Sequence, residues 1–201
     1  MLPSEQKAPL VCLASASPRR RELLAQIGVP FRIASSAVDE SVLPGELPRN
    51  YVTRLARAKA LAVRAADESL PVLAADTTVV IDGVLLGKPA DATEGLRMLQ
   101  LLSGRTHEVL TAVALAGVSG VSESLSASQV SFRAVTAAEC AAYWHSGEPR
   151  DKAGGYAIQG LAAVFVNALH GSYSGVMGLP LYETAQLLRA SGIACWDGLL
   201  A

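Results

Sequence analysis

Three consecutive arginines, Arg19, Arg20 and Arg21, follow Ser17 and Pro18 in the stretch Ser15-Ala16-Ser17-Pro18-Arg19-Arg20-Arg21-Glu22-Leu23-Leu24. Serine suits an N-cap and proline the first helical position, so the spacing predicts a helix whose first turn carries all three guanidinium groups. That is the positive end of the helix dipole, where anionic side chains are favoured. A capping box would place Glu or Gln at the third helical position, and Arg20 stands there instead. Free backbone N–H groups, the dipole and two or three guanidinium groups together describe a phosphate site at a strand-to-helix turn. The plainer alternative is a solvated basic turn, which costs roughly a few tenths of a kcal/mol per charge.

Other residues add to this chemistry. Lys59 falls in the middle of the apolar face of a long amphipathic helix, where a lysine must snorkel out or meet an anion. Lys88, between Gly87 and Pro89, sits on a stiff turn that suits a phosphate or an ordinary surface charge. Asp76 is predicted to end a buried strand beside Thr77 and Thr78, a place for a base or metal ligand at the mouth of a sheet. Asp39 and Glu40 are adjacent, and one of them could share a divalent metal with Asp76; both could equally be solvated. Gln159 lies in the glycine-rich loop Asp151–Gly160, between Ile158 and Gly160, where packing gives a polar side chain little reason to be. His107, His145 and His170 lack metal-ligand spacing, and GxSxG, HExxH and Walker A motifs are absent. Cations with a few carboxylates fit metal-assisted phosphoryl chemistry.

The elements that must position these residues alternate between strand and helix. Leu10–Ala14 reads as a short buried strand. The first helix runs from Pro18 to about Ile27 and stops at Gly28, and Phe31–Ala34 is a second strand. A helix is predicted over Pro48–Ala66, its apolar face formed by Val52, Leu55, Ala56, Ala62 and Val63, with Arg54, Arg57 and Arg64 opposite. Pro71–Ala75 forms a strand. Thr77–Ile81 and Val84–Leu86 form a hairpin about Asp82-Gly83. Asp91 and Glu94 cap a helix through about Leu102, and Thr136 with Glu139 makes a capping box for another that ends near Gly147. Val109–Ala116, Gln129–Val135 and Ala162–Val166 read as strands, and Pro180 opens a last helix, Leu181–Ala190. The pattern is α/β with a mixed sheet.

The 201 residues suit one domain, with residues 1–8 as a flexible lead-in. At 51% hydrophobic and 17% charged the chain affords a large core. A net charge of −1 offers no global basic field, so a small anion is favoured over nucleic acid. Cys12, Cys140 and Cys195 form no disulfide framework, and no signal pattern or span of about 20 apolar residues is present. A reduced, cytoplasmic protein without membrane partners is the simplest reading. The oligomeric state is not legible; a homodimer is allowed.

Leu13–Leu24, Ala75-Asp76-Thr77, Gly87-Lys88-Pro89, Leu102–His107, the loop Asp151–Gly160 and Met177-Gly178-Leu179-Pro180-Leu181 together resemble the motifs of the Maf family of nucleoside triphosphate pyrophosphatases. The resemblance spans about residues 10 to 190. It implies an elongated mixed sheet flanked by helices, in two lobes around a central cleft. It also implies cleavage of a nucleoside triphosphate to the monophosphate and pyrophosphate, with a divalent cation, Mg or Mn. By the resemblance the catalytic aspartate falls on Asp76, the specificity positions on Arg19, Thr77 and Gln159, phosphate-lining positions on Ser15, Arg20, Lys59 and Lys88, and an acidic position on Glu40. Asp76 and Glu40 would be the metal ligands; whether Asp76 is base, ligand or both stays open. Gln159 resembles the branch that prefers dTTP and UTP, where a second branch carries an acidic residue and prefers 7-methyl-GTP. Ala157 departs from that branch, which more often has glycine, and Ala tolerates positive φ poorly.

A glutamine amide can accept from N3–H and donate to O4 of uracil or thymine, but on flipping it serves cytosine as well. A donor-only group such as Arg19, aimed at O4, would break that tie. Two rival readings are a nucleotide-sensing regulator with little turnover, against which Asp76 and Glu40 weigh, and a broad house-cleaning hydrolase of modified nucleotides, which would not discriminate against purines.

Overall fold

The computed structural model describes residues 8–196, so most of the predicted flexible lead-in lies outside the described residues. Among the described residues seven strands form one mixed sheet in the order β2-β1-β3-β5-β6-β7, with β4 paired to β3. β1 (Val11–Ala14) runs parallel to β2 (Phe31–Ala34) and to β3 (Val72–Ile81). From β3 onward the ladder is antiparallel, through β5 (Thr106–Gly117), β6 (Gly120–Phe132) and β7 (Val166–His170). β4 (Val84–Leu86) returns antiparallel on β3 across the turn at Asp82-Gly83, where both residues have positive φ.

Among the described residues six α-helices flank the sheet. α1 is Pro18–Gln26 and α2 is Pro48–Ala66. α2 lays Val52, Ala56, Ala60 and Val63 on Ala74, Ala112, Ala114 and Ala116, a small-on-small contact that lets the helix approach the sheet closely. Ala62, expected on that face, is exposed; Ala60 is there instead. On the far face Arg54 and Arg57 pair with Glu46 and Glu123, while Arg64 donates to the Leu70 carbonyl, so two of the three charges have anionic partners. On the other side of the sheet Leu23 and Leu24 of α1 pack with Leu179 and with Leu188 of α6 (Leu181–Ala190). A third cluster, with Met98, Leu99, Phe132, Tyr143 and Phe165, joins α3 (Ala92–Leu102) and α4 (Ala137–His145) to the far ends of β3, β5 and β6.

The caps form as read: the Asp91 side chain accepts from the Glu94 N–H, and Thr136 with Glu139 closes a reciprocal box. Four expectations are corrected. β3 does not end at Asp76 but continues to Ile81, because Asp76, Thr77 and Thr78 keep their ladder bonds to β5. β6 begins at Gly120, nine residues before Gln129, paired along β5 from a Gly117–Gly120 turn. Ala162–Val166 is a 3-10 turn (Leu161–Phe165), and the strand follows it as β7. A short helix, α5 (Tyr173–Met177), was not anticipated; Ser172 caps it by accepting from the Gly175 N–H.

Candidate active site

The site is set by a gap beside β3. On one edge β3 pairs with β1 only at Val72 and Leu73 and with β4 only from Val79 onward. Among the described residues no strand pairs with the stretch Ala74–Thr78 on that edge. Strand alternation then sends Asp76 toward α2 and Thr77 toward α1 and α5, yet both reach the gap. A cleft of about 530 Å³ opens there, at the carboxyl end of β1, a usual ligand position in open α/β sheets. Its walls come from the β1–α1 turn, the loop before α2, β3, the turn at Lys88 and the loop 151–158.

At one end Lys59 joins two carboxylates. Its Nζ lies 2.7 Å from Asp76 Oδ1 and 2.6 Å from Glu40 Oε1. The lysine that interrupts the apolar face of α2 therefore meets anions, but protein ones. Asp76 and Lys59 are buried, whereas Glu40 is half open to solvent. Burial raises the Asp76 pKa above the ordinary carboxylate range, against the pull of Lys59 and Arg20. For Glu40 burial acts upward too, but the hydrogen bond and charge of Lys59 outweigh it and hold the group below its usual range. Between the adjacent acids of the loop the structure chooses: Asp39 accepts from the Ser41 N–H, while Glu40 faces Lys59, its carbonyl held by the Tyr51 hydroxyl at 3.0 Å.

Arg20 crosses the middle of the cleft. Nε donates to the Gly178 carbonyl at 2.7 Å, Nη2 to Thr77 Oγ1 at 3.2 Å and Nη1 to Ser15 Oγ at 3.4 Å. Thr111 donates its one hydroxyl proton to the Gly175 carbonyl at 2.7 Å, and its oxygen lies 3.0 Å from Thr77 Oγ1, placed to accept the Thr77 proton. Burial depresses the Arg20 pKa and the charge of Asp76 opposes it; a guanidinium stays protonated regardless. Ser17 makes no side-chain cap, no acidic residue occupies the first turn of α1, and the Ser17 N–H donates to Ser15 Oγ at 3.2 Å. The helix start therefore keeps its N–H groups and dipole toward the cleft.

The third part is the loop that follows α4. Tyr156, Ala157 and Ile158 line the cleft across from Arg19, whose pKa burial lowers while Asp151, Tyr143 and Glu148 raise it. Tyr156 OH bonds His107 Nε2 at 2.8 Å beneath the wall. Ala157 has no positive φ; among the described residues the non-glycine exceptions are Asp82 and Trp196, so alanine fits the loop without strain.

Of the nine residues singled out in the sequence, Ser15, Arg19, Arg20, Glu40, Lys59, Asp76, Thr77 and Lys88 line this cleft together. Gln159 does not: it is exposed, one residue beyond the lining segment, where Gly160 N–H donates to the Ala157 carbonyl at 3.0 Å and closes a turn around it. Sequence reasoning missed Tyr51, Thr111, Tyr143, Glu148 and Tyr156. Tyr143 and Glu148, just ahead of the glycine-rich loop, carried a signal in their position; Thr111 inside an apolar run carried one in its polarity.

A family model described as Maf-like protein matches residues 10–191. A dTTP/UTP pyrophosphatase of Methylobacillus flagellatus is 54% identical over 186 residues, covering 92% of this chain and 94% of that protein. Proteins of the same name from Bordetella parapertussis and Hahella chejuensis are 55% and 52% identical over 195 and 188 residues, with the same coverage.

Proposed function

This chain belongs to the Maf family, and from that premise we propose that it is a nucleoside triphosphate pyrophosphatase that hydrolyses dTTP and UTP to the monophosphate and pyrophosphate. The observation that carries the reading is the cleft itself. Two carboxylates share one ammonium, a guanidinium is fixed beside them by three bonds, and Tyr156, Ala157 and Ile158, the residues just before Gln159, line the wall. The relatives' names supply the substrate pair.

The α-phosphorus is taken to sit beside Asp76. Water attacks it in line, a P–O bond forms from water, and the bond to the β-phosphate oxygen breaks, releasing pyrophosphate. Asp76 accepts the water's proton. Arg20 and Lys88 with the Ser15 hydroxyl hold the phosphates, and the charge that builds on the leaving group is met by Arg20 and Lys88. Lys59 is bound to the carboxylates in this structure and is taken to share its charge with the phosphates when substrate arrives.

Asp76 and Glu40 also fit a divalent cation. Their oxygens converge on one ammonium, both are hard donors, and Mg²⁺ typically takes one or two carboxylates plus substrate phosphates and water. Among the described residues no cluster of three or more His, Cys, Asp or Glu could form a full cage, in keeping with that shared arrangement. Bound there, Mg or Mn would supply Lewis-acid polarisation of the phosphoryl oxygens.

Base choice is assigned to Gln159, Arg19 and Thr77, all within the chain's motifs. The three buried free cysteines support a reduced, cytoplasmic setting, and no helix of the described residues is long and apolar enough to cross a membrane. The test is pyrophosphate release from a panel of triphosphates with magnesium or manganese. dTTP and UTP should exceed purine triphosphates by about tenfold or more; flat rates across bases would point to a broad hydrolase, and no release to a regulator.

A further inference from the structure

Gln159 projects from a turn that is held with unusual completeness, and the groups that hold it lie outside the motifs that mark the chemistry. Glu148 opens the 3-10 turn Glu148–Asp151 that follows α4. Its carboxylate accepts from the Tyr143 hydroxyl (Oε1, 2.7 Å), the Leu161 N–H (Oε2, 3.0 Å) and the Ala162 N–H (Oε1, 3.4 Å). The same Tyr143 hydroxyl accepts from the Ala157 N–H at 3.1 Å. One hydroxyl and one carboxylate thus pin the backbone on both sides of Gln159, two residues before it and two and three residues after it. Ile158 is buried in the core beside it. At Gly160 a Cβ would stand 2.2 Å from Glu148 Oε2, so only glycine lets the carboxylate approach. The pair also lies within electrostatic reach of Arg19, which lines the cleft.

We propose that Tyr143 and Glu148 are positioning residues that hold Gln159 in register with Arg19, and thereby set how strongly the site discriminates among bases without touching the phosphates. This rests on the reading of Gln159 as a base-contacting residue. Were the pair only a structural staple, its loss would weaken the fold or slow every substrate alike. As a register device it acts on the base-reading end, because the Asp76, Lys59 and Arg20 contacts come from β3, α2 and α1 and share no bond with it.

The experiment measures kcat/KM for dTTP and dGTP in the full chain and in Glu148→Gln, Tyr143→Phe, Gly160→Ala and Gln159→Ala, with thermal unfolding as the check on folding. Glu148→Gln replaces one acceptor oxygen by a donor, Tyr143→Phe leaves the Ala157 N–H unpaired, and Gly160→Ala displaces the carboxylate without removing it. Each should lower the dTTP-over-dGTP ratio about tenfold, the cost of one misplaced hydrogen bond. The double variant Glu148→Gln/Gln159→Ala should discriminate no worse than Gln159→Ala alone. Equal losses on both nucleotides, or additive losses in the double variant, would overturn the proposal. If Gln159→Ala loses discrimination while the three pair variants keep it, the pair alone is refuted. If Gln159→Ala keeps its discrimination, the reading of Gln159 fails and the register role fails with it.

Discussion

Arg19 and Arg20 are neighbours in the chain with different surroundings in space. Arg20 is locked between Gly178, Thr77 and Ser15 and feels the charge of Asp76, whereas Arg19 feels Asp151, Tyr143 and Glu148 across the cleft. The proposed division between a phosphate arginine and a base arginine would be drawn by the geometry of one helical turn. Arg20→Lys keeps the charge and loses the fork, so the bonds to Gly178 and Thr77 cannot both survive. Its kcat/KM on dTTP is expected to fall about 10²-fold with the unfolding temperature little changed, a loss typical of a misplaced transition-state donor. Steady-state kinetics with a parallel thermal melt checks it; a change under threefold would remove Arg20 from the machinery. Lys59 was legible as a lysine out of place on an apolar helix face, but its carboxylate partners were not, since they come from a loop and from a strand distant in sequence.

At the scale of elements, helices were legible because their ends are written locally. Pro18, Pro48, Asp91, Thr136 and Pro180 mark starts that the structure keeps. Strands were less so, because a ladder is a property of two segments. The Asp76-Thr77-Thr78 triplet looks like a strand end until β5 is seen opposite it, and the serine-rich half of β6 buries Ser126 and Ser128 while Ala127 is exposed, the reverse of the polarity that announces a strand. The contact of β5 with the cleft loop yields a pH prediction. His107 on β5 is buried against Phe132 and Tyr156, and burial pushes its pKa down to about 4. The unfolded chain therefore binds a proton that the folded one refuses, so stability is full above about pH 6.5 and is lost as pH falls toward 4. The loss amounts to at most about 3 kcal/mol. Chemical unfolding between pH 7 and 5 should show the decline, and His107→Phe should flatten it; an equal slope in both proteins would assign the effect elsewhere.

Across the whole molecule, a chain of net charge −1 gathers Arg19, Arg20, Lys59, Lys88 and Lys152 in one cleft, where they outnumber its Glu40, Asp76 and Asp151, while Arg54 and Arg57 of α2 are paired with Glu46 and Glu123. The local field therefore favours a small polyanion over a polymer. Motifs spread from residue 13 to residue 181 made the family legible, and eight of the nine residues they named meet in space. What they could not convey is that the cleft exists because β1 and β4 leave β3 uncovered between them. The central claim is that Asp76, at that gap, drives attack on the α-phosphorus. The measurement that tests it most directly is product analysis of dTTP hydrolysis by the wild-type chain and by Asp76→Asn under saturating magnesium. Equimolar dTMP and pyrophosphate from the wild type, with a loss of about 10³-fold in kcat for the variant, is the predicted result. Release of dTDP and inorganic phosphate, or near-normal turnover by Asp76→Asn, would contradict it.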